Sequence, residues 1–259
     1  MLRFSANLSM LFTELPLLQR FKAARQAGFT AVEVQFPYDL SIEQLQQVLQ
    51  ENALKLVLFN VDADTLLQGG EGLAAVPEKQ AQFKNAVEQS LAYAEVLQPE
   101  FINVLPGRCL NPARLDEYQH TLLENLQFAA DTFADIGVTT VFEAVNSHDM
   151  PGFIIDDSQK MLSVLAALNH PHLQLQFDIY HMSRMQEDCV ALIQQHINKI
   201  GHFQFADCPG RGEPGTGQVR LAELFELVNS SAYQGWLGAE YKPVTSTLES
   251  LAWLKTYQP

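Results

Sequence analysis

The chain has 259 residues, 47% of them hydrophobic, enough for a sizeable core in one large α/β unit or two small domains. Sixteen basic against thirty acidic side chains give a formal net charge of -14, so no nucleic-acid partner is expected, and a small anionic ligand would need local positive groups. Cys109, Cys189 and Cys208 lack the close pairing of a thiolate metal site, and their odd number argues against a disulfide scaffold; reduced thiols in a cytoplasmic protein are expected.

The opening stretch MLRFSANLSMLFTELP lacks the continuous apolar core of a signal peptide, and no segment approaches about 18 unbroken apolar residues, so no membrane partner is expected. LRFSAN at 2–7 reads as a strand, and Leu17, Phe21 and Ala24 follow at helical spacing with Gly28 as a stop. AVEVQF at 31–36 is a second strand before a helix that Ser41 caps, with Gln44 at the capping-box position. LKLVLFN at 54–60 is a third, and after a long glycine-containing segment at 61–76 Phe83, Val87, Leu91 and Ala94 make a helical stripe. FINVL at 101–105 precedes a helix over 112–135.

The same alternation fills the second half. VTTVFEA at 138–144, LQLQFD at 173–178, IGHFQF at 200–205 and GWLGAEY at 235–241 read as strands; helices are expected at 156–168, 187–197, around Leu221 to Val228, and at 247–256. Eight such units with no low-complexity linker or break in composition predict one α/β domain over 1–259, a (β/α)8 barrel.

Barrel chemistry belongs at the C-terminal ends of strands. Glu143, Asp178, Gln204 and Glu240 sit at or near four successive strand ends, within apolar runs where an unpaired polar group is costly. Three carboxylates and one amide oxygen suit a hard divalent ion such as Mg2+ or Mn2+ better than zinc. Each residue also has a structural reading: Glu143 as a cap or an arginine's partner, Asp178 as a turn former, Gln204 as a buried backbone's partner, and Glu240 as a structural carboxylate. The loop DCPGRGEPGTGQ after the seventh strand lacks GxxxxGK[ST] and any lysine, so a phosphate cradle is not expected. Its glycines and prolines instead aim Arg211 at the mouth to grip a substrate carboxylate, the alternative being a solvated pair with Glu213. His181 is placed to meet a substrate oxygen, and His202 shares the strand face of Gln204; ordinary core hydrogen bonding is the other reading for both. Lys242 and Arg108 lie beside strand ends and either temper the negative mouth or face solvent. Met10, Leu11 and Phe12 form a loop contact over the mouth, a homo-oligomer interface, or plain core.

From FSANLSMLFTELP and GFTAVEVQFPY, through VFEAVN and QFDIYH, to FQFADCPGRGEPGTGQ and GWLGAEYKP, the whole chain resembles the hydroxypyruvate isomerase family of xylose-isomerase-like TIM barrels. A close branch isomerises 2-oxo-tetronate. The resemblance implies that Glu143 and Glu240 are the acid/base pair and also metal ligands, with Asp178 and Gln204 completing the ion site. It implies substrate binding by His181 and Arg211, and His202 and Lys242 are further candidates for that role. Related ketose epimerases usually carry histidine where Gln204 stands. Where the family's loop often reads GTGE this chain has Gln218, so no negative role is expected there. The implied reaction converts hydroxypyruvate to tartronate semialdehyde through an enediolate. Alternatives are 2-oxo-tetronate isomerisation, ketose 3-epimerisation, sugar-acid binding without turnover, and the abasic-site nuclease activity found in the same superfamily.

Overall fold

Short strands of three to six residues, rich in apolar side chains, cannot bury both faces alone, and here they close on one another. The structure, a computed structural model, describes residues 2–257; Met1, Gln258 and Pro259 of the expected domain lie outside the described residues. The strands are β1 Phe4–Asn7, β2 Ala31–Val34, β3 Lys55–Asn60, β4 Phe101–Asn103, β5 Thr139–Glu143, β6 Leu173–Asp178, β7 Ile200–Phe205 and β8 Leu237–Ala239. They pair in parallel in sequence order, and β8 returns to β1, so the sheet is a closed barrel. Closure leaves no sheet edge unpaired.

Helices α1 Leu17–Gln26, α2 Ile42–Glu51, α3 Gln80–Leu97, α4 Leu115–Ala134 and α5 Ser158–Leu168 follow the first five strands. After β6 come α6 Ile179–Arg184 and α7 Cys189–His196, after β7 comes α8 Leu221–Ser230, and α9 Thr247–Ser250 and α10 Leu254–Tyr257 end the described chain. Ser41 and Gln44 form the expected capping box on α2. Two helical expectations need correction. The sequence reading places no helix directly after β6, yet Asp178 accepts from the Tyr180 amide and starts α6 at once. The closing helix over 247–256 is broken, because a 3-10 turn at Leu251–Trp253 separates α9 from α10.

The apolar core lies between barrel and helices. Edge-to-face contacts of Phe4, Phe205, Phe225 and Trp253 pin the closing segment against β1 and β7. Leu11 and Phe12 belong to this core, which removes them from any oligomer contact.

Gly238 in β8 faces β7 at Gln204 and β1 at Ser5. A Cβ built there would meet Glu33 Oε1 at 2.1 Å. Glu33 is fully buried and cannot swing away. Gly238→Ala is therefore expected to destabilise the fold by about 1–3 kcal/mol through overpacking, read as a lowered midpoint in denaturant; an unchanged midpoint would mean the Glu33 side chain has room that its packing does not show.

Candidate active site

Each strand brings a polar side chain towards the same end of the barrel: Asn7, Glu33, Asn60, Asn103, Glu143, Asp178, Gln204, and Glu240 just past β8, all of them buried. The register sets Glu143 beside Gln176 and Asp178 beside Gln204. A cavity of about 90 Å³ opens here, lined by Gln35, Glu143, Asp149, Gln176, His181, Gln204, Arg211 and Glu240 with apolar walls from Phe36, Leu66, Leu105, Val145 and Met150. A wider groove between α4 and α5, about 510 Å³, has no convergent set of titratable groups, so chemistry rather than size selects the smaller cavity.

Glu143 Oε1 accepts from Asn103 Nδ2 at 2.8 Å. Burial, reinforced by the charges of Glu240 and Asp178, holds its carboxyl well above the ordinary range. Asp178 Oδ1 is bound to the Tyr180 amide, whereas its Oδ2 is buried with no hydrogen-bond partner. Burial raises this carboxyl too, against the pull of Arg211. Glu240 is gripped from both sides: Gln35 Nε2 at 2.6 Å and Asn7 Nδ2 at 3.1 Å on Oε1, Arg211 Nη2 at 2.7 Å on Oε2. Burial nevertheless pushes its carboxyl up to about 7.

Arg211 reaches this set from the β7 loop. Its Nη2 lies 3.7 Å from Asp178 Oδ2, and its guanidinium lies 5.0 Å from the Tyr180 ring centroid. The expected alternative, a pair with Glu213, is replaced by these contacts; Glu213 instead accepts from the Val244 amide. Burial opposes the charge of Arg211, but Glu240, Asp178 and Glu143 outweigh it and keep the guanidinium protonated. The loop is organised from below by Asp207. Its carboxylate accepts the amides of Cys208 and Val219 on one oxygen and those of Gly215 and Gly217 on the other, all at 2.8–2.9 Å. At Gly217 a Cβ would lie 2.2 Å from the Cys208 carbonyl oxygen, so only glycine fits. Arg211 itself sits at φ 57, a left-handed conformation unusual for a non-glycine residue and held here by surrounding bonds.

His181 is neutral, burial first and then Arg211 holding it well below the ordinary imidazole range. Its tautomer follows from Asn146. Asn146 Oδ1 accepts from the Asp149 amide and its Nδ2 donates to Asp149 Oδ2, so the amide's orientation is fixed and Nδ2 also donates to His181 Nδ1 at 2.7 Å. The ring proton is then on Nε2, 3.5 Å from Asp178 Oδ2.

Two candidates do not reach the cavity. His202 is fully buried, its Nε2 bonded to Glu33 Oε1 at 2.8 Å, and so underpins the site instead of lining it. Lys242 is exposed and contributes its backbone amide to the Arg211 carbonyl at 2.7 Å. Arg108 ties loops together, donating to the carbonyls of Gly69 and Pro151. The sequence reading missed Glu33 and Gln35, which AVEVQF places on one strand face, and Gln176, two residues before Asp178. Burial pushes the Glu33 carboxyl up, but His202, Ser5 and Gln204 outweigh it and hold it below the ordinary value.

Glu143, Asp178 and His181 bring one donor atom each within 4.8 Å of one another, a buried cluster suitable for a divalent metal ion. The partnerless Asp178 oxygen fits a cation, as do three carboxylates facing a single guanidinium. A pH test follows. The raised carboxyls keep protons in the folded state that the unfolded chain releases, so this contribution to stability is full below about pH 4.5 and is lost as pH rises through about 7 for Glu240. The thermal midpoint of metal-stripped protein is expected to fall from about pH 5 to about pH 8, and added Mn2+ to raise it most at the upper end. A Mn2+ effect that is flat with pH would separate the ion from these carboxyls.

Buried carboxylates at the strand ends of a closed parallel barrel are the arrangement of a metal-assisted (β/α)8 enzyme. Residues 21–257 match the xylose isomerase-like TIM barrel family model. Hydroxypyruvate isomerase of Escherichia coli (strain K12) is 40% identical over 258 residues, covering 100% of both chains. 2-oxo-tetronate isomerase of Cupriavidus necator is 40% identical over 260 residues, covering 98% of each. A crystal structure of AP endonuclease, family 2, from Brucella melitensis superposes with a TM-score of 0.96 at 34% identity, covering 100% of both chains. The chain belongs to the xylose-isomerase-like barrels and, within them, to the hydroxypyruvate isomerase and 2-oxo-tetronate isomerase family. Homology of this extent, with the buried cluster, makes it an enzyme of that isomerase type. No helix among the described residues is long and apolar enough to cross a membrane.

Proposed function

We propose that this protein is a cytoplasmic, single-domain enzyme that isomerises hydroxypyruvate to tartronate semialdehyde, with Glu143, Asp178, Gln204 and Glu240 holding Mg2+ or Mn2+. The observation that carries the reading is the buried cluster of Glu143, Asp178 and His181 at a cavity that Arg211 overlooks. In the tautomer that Asn146 favours, His181 Nε2–H can donate to a substrate oxygen, while Glu143 and Asp178 supply oxygen donors of the cluster.

The Arg211 fork takes the substrate carboxylate, and His181 Nε2–H the carbonyl oxygen. Glu143 or Glu240 removes a proton from the hydroxymethyl carbon; the proton returns at the former carbonyl carbon while the hydroxyl proton moves between the two oxygens. A bound divalent ion would supply Lewis-acid polarisation and charge balance for the enediolate. The apolar wall of Phe36, Leu66, Leu105 and Val145 limits water around the reacting carbons.

A nucleic-acid substrate is disfavoured by the net charge of -14 and by the size of the cavity. The test is a paired assay with hydroxypyruvate and 2-oxo-tetronate in deuterated water, after metal removal and after Mg2+ or Mn2+ is restored. Turnover of hydroxypyruvate with deuterium at the new C–H, lost with the metal, is expected. Preference for 2-oxo-tetronate would move the assignment to the four-carbon acid; preference for a neutral ketose would remove the carboxylate role of Arg211.

A further inference from the structure

Glu33 is a fully buried carboxylate that the chemistry above does not use. Its oxygens meet only donor groups: Ser5 Oγ at 2.6 Å and His202 Nε2 at 2.8 Å on Oε1, Gln204 Nε2 at 2.8 Å and Asn7 Nδ2 at 3.4 Å on Oε2. A carboxylate accepts and does not donate, whereas a carboxamide has one accepting and one donating end. Gln204 must therefore turn its NH2 to Glu33; reversed, two oxygens would face each other at hydrogen-bond distance. The Gln204 oxygen is thereby directed to the Gln176 side, where Gln176 Nε2 donates to it at 2.7 Å and leaves its second lone pair open. The orientation of Gln176 follows in turn, and its own Oε1 is buried without a partner. Asn7 Nδ2 links the same carboxylate to Glu240 Oε1. The missing side chain at Gly238 makes room for Glu33 at this point.

Resting on the ion site proposed above, we propose that Glu33 is a positioning residue that locks the Gln204 carboxamide oxygen-outward, so that a divalent cation meets an oxygen and not an NH2 group. A carboxylate below the site thus converts a residue with two ends into a single-ended ligand. Partners of this kind orient ligands and are worth about 10–100-fold in metal affinity.

The measurement is the Mn2+ dissociation constant of metal-stripped, full-length protein, by calorimetric titration, for the parent, Glu33→Gln, Gln204→Ala and the double variant. Glu33→Gln is expected to weaken Mn2+ binding by about 10–100-fold, with little further effect in the Gln204→Ala background. Parent-like affinity in Glu33→Gln, or an equal loss in both backgrounds, would overturn the inference while leaving the ion site standing. Absence of Mn2+ binding by the parent would remove the ion site, and the inference with it. Neutron diffraction from Mg2+-loaded parent crystals tests the same point without a variant: the Gln204 amide deuterons are expected on the Glu33 side, and deuterons on the far side would overturn it.

Discussion

Glu143→Gln is expected to lower turnover of hydroxypyruvate on the order of 10³-fold, within the range for loss of a general acid or base. The substitution keeps volume, and the glutamine carbonyl can still accept from Asn103 Nδ2, so the 2.8 Å bond that orients the side chain has a counterpart. What is lost is the carboxyl proposed to exchange a proton with carbon. The repulsion that Glu240 and Asp178 exert at this position is lost with it. The metal-stripped variant is therefore expected to unfold at a higher temperature than the parent at about pH 8, while its catalysis collapses. Initial rates and thermal melts on one preparation check both, and turnover at the parent's level would end the assignment of Glu143 as the proton-transfer group.

Arg211→Ala is expected to reduce kcat/KM for the 2-oxo acid by about 10²–10³-fold, equivalent to about 3–4 kcal/mol, because a part-buried charged fork is removed and its carboxylate partners are stranded. Arg211→Lys retains charge but not the fork, and an intermediate loss is expected. The loss should lie mainly in KM if the guanidinium binds the carboxylate equally before and during reaction. Steady-state kinetics on all three proteins decide it; equal kcat/KM in the parent and Arg211→Ala would leave the guanidinium only its structural bonds to Glu240 and Asp178.

The barrel and half of the mouth could be read from the chain because each rests on local contrast. Strands β6 and β7 agree with LQLQFD and IGHFQF residue for residue, since apolar runs bounded by polar groups leave little freedom. Glu143, Asp178 and Glu240 stood out as charges ending such runs. Glu33 carries the same signal in AVEVQF, inside the run and not at its end, and its importance lies in contacts up to 171 positions away that no local pattern encodes. His202 was seen on the right face, but strand period cannot tell a residue lining a cavity from one a layer beneath it. The helix at Ile179–Arg184 escaped because Asp178 ends a strand and caps a helix at once, two roles that periodicity cannot assign to one residue. Which end of the Gln204 amide faces Glu33 is set from β2, a strand that does not pair with β7, and no local pattern shows that.

The Asp207 carboxylate, with four backbone amides gathered on it, gives the arginine-bearing lip a fixed outline before any ligand arrives. A lip held in this way is preorganised: a ligand that fits it sacrifices little disorder of the loop on entry.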